Sequence, residues 1–182
     1  RIVLEPGFRL MYYSSLGEIS PEPRVAMKYI INPWLRFKTS AGFYTQNLMS
    51  AVSDKDVVNL FYGFLSGPSD LPATFIGKVV TSKLQKARHA VAGFEIDIND
   101  RSDLNIEGFV KHFDQLTNVN RDKIFDDNQL NAGRPEYQRV DYIVENGNAS
   151  GFDVTYKYDN KHLYLWMVYS YVIGRASCGG RV

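Results

Sequence analysis

Three histidines are the first candidates for chemistry, because imidazole is the side chain that most readily gains or loses a proton near neutral pH. His89, His112 and His162 lie far apart in the sequence, and none has a carboxylate or a nucleophile at catalytic spacing. The lone Cys178 excludes an internal disulfide and any zinc site made of several cysteines. The sequence therefore predicts no enzyme activity, no metal site and no cofactor.

Acidic residues cluster at two predicted turns and are potential calcium ligands. Asp126, Asp127 and Asn128 are consecutive, and Asp97 and Asp100 lie near another turn. Neither group has the ordered spacing of oxygen ligands that a calcium loop requires. We interpret both groups as solvated turn residues.

Charged residues recur at every second position of several segments, with apolar residues between them. On this charged face we place Arg24, Lys28, Arg36, Lys38, Glu95, Asp97, Glu107 and Lys111. Such alternation indicates strands with one face toward water and the other toward an apolar medium. The cations of residues 24–38 are expected to pair with carboxylates of the same wall or of a plug inside it, or to guide an anionic ligand.

Seven long segments carry the alternation and predict an all-β, antiparallel up-and-down meander. The predicted strands cover residues 2–13, 24–31, 34–44, 88–98, 103–113, 137–158 and 162–173. An aromatic content of 14% favours strands over helices. Within the long connection 45–83, apolar residues at helical spacing predict a short helix over 54–65. We assign residues 1–174 to the sheet and 175–182 to an irregular tail.

The lengths of the predicted connections alternate along the chain. Residues 14–23, 45–83 and 118–136 form long loops, whereas residues 32–33, 99–102 and 159–161 form short turns. In a meander this arrangement places all long loops at one end, as in transmembrane β-barrels. The predicted strands, of about 10 residues, also exceed the average of about 5 or 6 in soluble proteins. The sequence thus predicts part of a transmembrane β-barrel.

Two other kinds of protein share this pattern. A soluble all-β binding module could turn Phe94, Ile96, Ile106 and Leu165 inward to line a pocket, and a smaller porin-like or adhesin-like barrel could act through its loops. A formal net charge of +1 gives no reason to expect nucleic acid as a partner. No apolar run approaches the roughly 18 to 20 residues of a membrane-spanning helix.

Four segments together resemble the middle of the barrel of TonB-dependent outer-membrane receptors. They are LEPGFRLMYY from residue 4, SPEPRVAMKYIINPWLRFKTSAGFYTQ from residue 20, HAVAGFEIDINDRSDLNIEGFVKHFDQLTNV from residue 89 and ASGFDVTYKY from residue 149. No single motif is specific, and the resemblance rests on the order of the four segments.

The resemblance implies a barrel of about 22 strands in the outer membrane of a Gram-negative bacterium. Such receptors enclose a plug domain and import siderophores, vitamins or glycans with energy from an inner-membrane complex. An open sheet edge cannot face hydrocarbon, so seven strands would form only a segment of the receptor, without its plug and its remaining strands. By position, the resemblance suggests Tyr44, Gln46, Phe61, Tyr62 and Phe64 as ligand contacts, and packing within the 54–65 helix is the alternative for the last three.

Overall fold

The alternating segments form seven long strands in the computed structural model, which describes residues 1–50, 64–66, 71, 74–75, 78–80 and 82–178. Each of these strands has apolar or β-branched residues on one parity, the pattern that favours a half-exposed sheet. In chain order they are β1 (Ile2–Tyr13), β2 (Glu18–Asn32), β3 (Leu35–Gln46), β4 (Gln85–Asn99), β5 (Ser102–Val119), β6 (Tyr142–Asn160) and β7 (Leu163–Cys178).

The strands pair in chain order, and every pair is antiparallel. The predicted all-β, up-and-down meander is therefore confirmed. Among the described residues β1 pairs only with β2 and β7 only with β6, so the sheet has two free edges. A bulge interrupts β6, where its register with β5 shifts between Glu145 and Gly147.

The first connection is much shorter than predicted. Residues 14–17 form a tight turn in which Gly17 has a φ of 64°, and β2 already begins at Glu18. Pro21 and Pro23, which suggested a loop, lie in the strand opposite Leu10 and Phe8. Proline is compatible with an extended backbone where its missing N–H does not face a paired neighbour. The prediction of a long loop over 14–23 is therefore wrong.

Two long connections remain, and both lie at the same end of the sheet, here called the long-loop end. Residues 47–84 join β3 to β4 and residues 120–141 join β5 to β6. The first contains the paired short strands Leu48–Ser50 and Phe64–Ser66, and Thr74–Phe75 and Lys78–Val79. The second contains 3-10 turns at Gln129–Asn131 and Glu136–Gln138, so β6 begins later than predicted.

The helix predicted over 54–65 lies mostly outside the described residues. Its last two residues, Phe64 and Leu65, are extended and pair with Ser50 and Met49, so the prediction is wrong for them. No helix among the described residues is long and apolar enough to cross a membrane.

The predicted irregular tail is also partly wrong, because β7 continues to Cys178. Residues 175–178 pair with Asn148 to Glu145 of β6. The small residues of this stretch show no alternation, but a backbone ladder does not need alternating side chains. The remaining tail residues, 179–182, lie outside the described part.

The two faces of the sheet differ sharply in chemistry. The apolar face carries the even-numbered residues of β1, β4, β5 and β6 and the odd-numbered residues of β2, β3 and β7. The polar face carries the other residues. This numbering holds between the short turns and the bulges that lie near the long-loop end. Large side chains of the apolar face are widely exposed, for example Phe8 at 68% and Phe94 at 44%. No layer of the described residues covers this face.

Fully buried residues concentrate at the long-loop end. Phe75 and Leu84 are the buried apolar side chains of the described residues, and both belong to the 47–84 connection. Most of the buried polar residues lie at the same end of the sheet, among them Glu22, Gln115 and Thr117. The 47–84 connection therefore packs against this end of the sheet.

Glycines on the polar face leave room for side chains of neighbouring strands. A Cβ added to Gly151 would overlap the carbonyl oxygen of Tyr171 and lie 2.9 Å from Cζ of Phe109. A Cβ added to Gly108, on the apolar face, would have no atom nearer than 3.9 Å. The polar face is therefore the more crowded one at these positions.

We expect Gly151→Ala to destabilise the protein by about 1–3 kcal/mol, because the methyl group forces the backbone or the Phe109 ring to move. Gly108→Ala is the matched control, with an expected change within about 0.5 kcal/mol. Urea unfolding in detergent micelles followed by circular dichroism measures both. Equal stability of the two variants would contradict the close packing at Gly151.

Candidate functional site on the polar face

The register gathers the charged residues of four strands on the polar face. The pairs Lys28–Lys38, Arg36–Glu95 and His89–Lys111 are directly opposed across neighbouring strands. All the residues of the predicted charged face lie here: Arg24, Lys28, Arg36, Lys38, Glu95, Asp97, Glu107 and Lys111. The two faces therefore separate charged from apolar chemistry as the alternation predicts.

Glu95 is the centre of an ion-pair network on this face. Its carboxylate accepts a hydrogen bond from Nη2 of Arg36 at 3.1 Å and also binds the ammonium group of Lys38. Lys28 approaches the same carboxylate at 3.5 Å, and Arg36 also binds Asp97. The side chains of Arg36 and Glu95 are only 18% and 23% exposed. The pairing with wall carboxylates, predicted for these cations, is therefore present for three of the four.

Arg24 differs from these cations. Among the described residues it has no carboxylate within ion-pair distance. It stands between two glycines, Gly7 and Gly42, and its side chain lies over the first, with Cγ 3.0 Å from the place where a Cβ would be. A guanidinium over a glycine is sterically accessible, so Arg24 can bind an anion without first leaving a partner.

A groove of about 410 Å³ runs beside the network. Its floor includes the small residues Ala26, Ser40 and Gly93, and Lys38 and Glu107 stand at its sides. A Cβ on Gly93 would lie 2.7 Å from Cγ of Glu107, so the glycine makes room for that side chain. The groove carries both signs of charge and fits a polar or amphoteric occupant.

Two of the proposed ligand contacts meet in a smaller pocket near the long-loop end. Tyr44 and Gln46 line it together with Gln85, Phe113 and Leu116, and its volume is about 110 Å³. The amide groups of Gln46 and Gln85 both donate to the carbonyl of Leu48, each at 2.9 Å. Their carbonyl oxygens remain as acceptors, next to a tyrosine and a phenylalanine.

The other proposed ligand contacts are not placed on this face. Phe61 and Tyr62 lie outside the described residues, and Phe64 belongs to a short strand of the 47–84 connection, with only its backbone described. Gln85 and Phe113 were missed because a pocket between strands depends on the register. The sequence could have indicated only their face, because both residues are odd-numbered and the apolar face carries the even-numbered residues of β4 and β5.

The histidines do not form a site together. His89 lies on the polar face with its ring 5.8 Å from that of Tyr44, whereas His162 lies in the turn before β7. Nδ1 of His112 lies 2.5 Å from the amide oxygen of Asn148 and Nε2 lies 3.4 Å from Asp114. Among the described residues no three His, Cys, Asp or Glu side chains are placed to hold a metal ion.

A second polar cluster lies on the apolar face, at its border with the long-loop end. It consists of Arg88, His112, Asp114 and Asn148, and Nε of Arg88 donates to Asp114 at 3.0 Å. Below it, the positions Ala90 to Ile98 of β4 are uncharged on this face. This cluster was not predicted, because its charged and polar side chains occupy the parity that is otherwise apolar.

The 120–141 connection is held by its own polar contacts. Asn120 donates to the carbonyls of Tyr137 and Val140, both at 2.7 Å, and Nζ of Lys123 lies 2.7 Å from Asp141. The hydrogen bond from Lys123 to Asp141 raises the pKa of Lys123 above its ordinary value. The loop presents Leu130, which is 95% exposed, from an ordered backbone.

No family model, curated protein or solved structure matches this chain.

Proposed function

We propose that this chain is a segment of an outer-membrane receptor barrel of a Gram-negative bacterium. In this proposal the barrel imports a scarce ligand, such as a siderophore, a vitamin or a glycan. Outer-membrane lipid covers the apolar face, and the remaining barrel strands continue the sheet at its two edges. A plug domain would face the charged side, and an inner-membrane complex would supply the energy, as the resemblance to TonB-dependent receptors implies.

The observation that carries the proposal is the exposure of the apolar face across all seven strands. Leu4, Phe8, Ile106 and Met167 are 61%, 68%, 38% and 51% exposed on that face. Soluble proteins rarely expose contiguous apolar patches of more than a few hundred Å². A lipid bilayer covers such a face without needing a complementary protein surface.

The length of the apolar band along β4 is close to that of a strand that crosses a bilayer. It runs from Ala90 to Ile98, eight residue steps, or roughly 27 Å along the strand. At the roughly 35–45° tilt of barrel strands this corresponds to a height of about 20 Å, near the apolar band of about 25 Å in outer-membrane barrels. The cluster around Arg88 and Asp114 borders the band on the long-loop side, where a membrane interface would place charged groups.

The polar face fits the lining of a lumen. Several of its charges are paired within the wall and half-buried, as in the network around Glu95. A soluble barrel with an apolar pocket would instead turn Phe94 and Ile106 away from water, whereas they are 44% and 38% exposed. Two long connections at one end also support the proposal, although the shortness of the 14–17 turn weakens the alternation of loop lengths.

The pocket with Tyr44 and Gln46 is the part of the polar face that we assign to ligand contact. It lies at the long-loop end, which is extracellular in outer-membrane barrels. Aromatic and amide groups suit a bulky polar ligand.

The proposal is tested by asking which face contacts lipid. Leu4 and Glu5 are adjacent on β1, both exposed, and point to opposite faces. With Cys178→Ser removing the native thiol, Leu4→Cys and Glu5→Cys are each labelled with a bimane fluorophore in lipid vesicles. We expect nitroxide lipids to quench the label at position 4 several-fold more strongly than the label at position 5, because only the former lies among acyl chains.

Equal quenching at the two positions would contradict the lipid assignment. So would a protein that stays folded and monomeric in buffer without lipid or detergent, since the apolar face would then be tolerated in water or covered by protein.

A further inference from the structure

The pairing of β2 with β3 stops halfway up the sheet. The last directly opposed pair is Arg24 and Gly42, although β2 begins at Glu18 and β3 runs to Gln46. Over the same height β2 remains fully paired with β1, up to Tyr13 opposite Glu18. A seam therefore separates the first hairpin from β3 at the long-loop end.

The seam begins where the sequence places two prolines. Continuing the register would set Pro23 opposite Phe43 and Pro21 opposite Thr45. The amide of Ile30 donates to the carbonyl of Arg1 at 2.8 Å, so even-numbered residues of β2 face β1 and odd-numbered residues face β3. Both proline nitrogens therefore point toward β3, and neither carries the N–H that a ladder needs.

Side chains of the hairpin replace the missing ladder at Thr45. Oε1 of Glu22 accepts hydrogen bonds from the backbone N–H and the hydroxyl of Thr45, at 3.0 and 2.7 Å. The hydroxyl of Tyr13 donates to the carbonyl of the same residue at 2.9 Å. The backbone N–H and C=O of Thr45, which face the seam, are thus satisfied without a partner strand.

Two further contacts cross the seam region. Glu18 accepts hydrogen bonds from the hydroxyl of Ser82 at 2.7 Å and from the backbone N–H of Lys83 at 2.9 Å. In the turn, Oγ of Ser15 accepts a hydrogen bond from the amide of Asn47 at 3.1 Å. Each of these contacts uses at least one side chain, and none is a pairing between neighbouring strands.

We propose that residues 8–23 form a hinged flap that swings away from β3 about the Arg24–Gly42 pair. Opening breaks the contacts that Tyr13, Ser15, Glu18 and Glu22 make across the seam, but no ladder bond of the described sheet. The open state has a slit between β2 and β3 that joins the polar face to the apolar face at the long-loop end. This flap goes beyond the proposed transport function and does not depend on lipid as the cover of the apolar face.

Distances between spin labels test the flap in detergent micelles, which keep the protein in solution whatever covers its apolar face. In the Cys178→Ser background, Tyr12→Cys with Phe43→Cys spans the seam, and Leu4→Cys with Ala41→Cys spans the paired lower half on the same face. We expect a second, longer distance for the upper pair only. Adding Glu22→Gln and Tyr13→Phe should increase that population several-fold, while the lower pair, which reports folding, stays unchanged.

Restoring the ladder is the opposite test. Pro21→Val and Pro23→Val together supply the two missing N–H groups, and valine favours strands. We expect the longer distance to disappear and amide exchange at Phe43 and Thr45 to slow at least tenfold. The flap is overturned if the upper pair shows one narrow distance in every variant, or if the proline replacements leave its distribution unchanged.

Discussion

Ala92→Lys is expected to destabilise the protein in a bilayer by roughly 2–4 kcal/mol, the cost of a lysine near the lipid midplane of a barrel. Ala92 is exposed on the apolar face, opposite Thr39 and Gly108, and lies well below the border formed by Arg88. Because replacing an exposed alanine removes few packing contacts, the change in the free energy of unfolding reports mainly whether lipid or water lies on that face. Urea unfolding from lipid vesicles gives the free energy of unfolding.

Ser40→Lys is the matched control for this measurement. Ser40 is small and exposed, lies one residue from the position opposite Ala92, and points to the polar face. We expect a change within about 0.5 kcal/mol there, because the lysine stays in water. If the two lysine variants lost the same stability, the two faces would meet the same medium, and the lipid assignment would be wrong.

The sequence predicted strands well where alternation was uninterrupted. The first strand, residues 2–13, has the predicted bounds, and Ile2, Leu4, Phe8, Leu10 and Tyr12 alternate regularly onto one face. The prediction was wrong at Pro21 and Pro23, where two prolines were taken to indicate a loop. Proline does exclude a ladder bond there, but only toward β3, and the strand survives through its pairing with β1.

The sequence predicted on which face of the sheet the charged residues lie, but not which of them form ion pairs. Alternation assigns Arg36, Lys38 and Glu95 to one side of the sheet, because parity depends on local geometry alone. Which charges meet depends on the register between β3 and β4, and these strands are separated by the long 47–84 connection. Arg24, which has no carboxylate partner among the described residues, and the border cluster at Arg88 likewise depend on where strand pairing and bulges end. The periodicity of the sequence does not show these positions.

Glu95→Ala is expected to cost about 1.5–3 kcal/mol, the range for hydrogen bonds to charged groups. The substitution leaves Lys28, Arg36 and Lys38 facing one another with Asp97 as their remaining carboxylate. Because Glu95 is only 23% exposed, water screens the three cations incompletely. Unfolding in detergent micelles at low and high salt measures the loss, which should shrink as salt rises.

Glu5→Ala is the matched control, because it removes a carboxylate from the polar face without breaking the ion-pair network around Glu95. Glu5 is exposed and has no ion pair among the described residues, so its removal should change stability by less than about 0.5 kcal/mol. A double-mutant cycle between Glu95→Gln and Lys38→Met should give a coupling above about 0.5 kcal/mol, as expected for side chains in direct contact. Additive effects of the two substitutions would show that the cations of β2 and β3 do not depend on Glu95, and the polar face would then carry its positive charge unpaired.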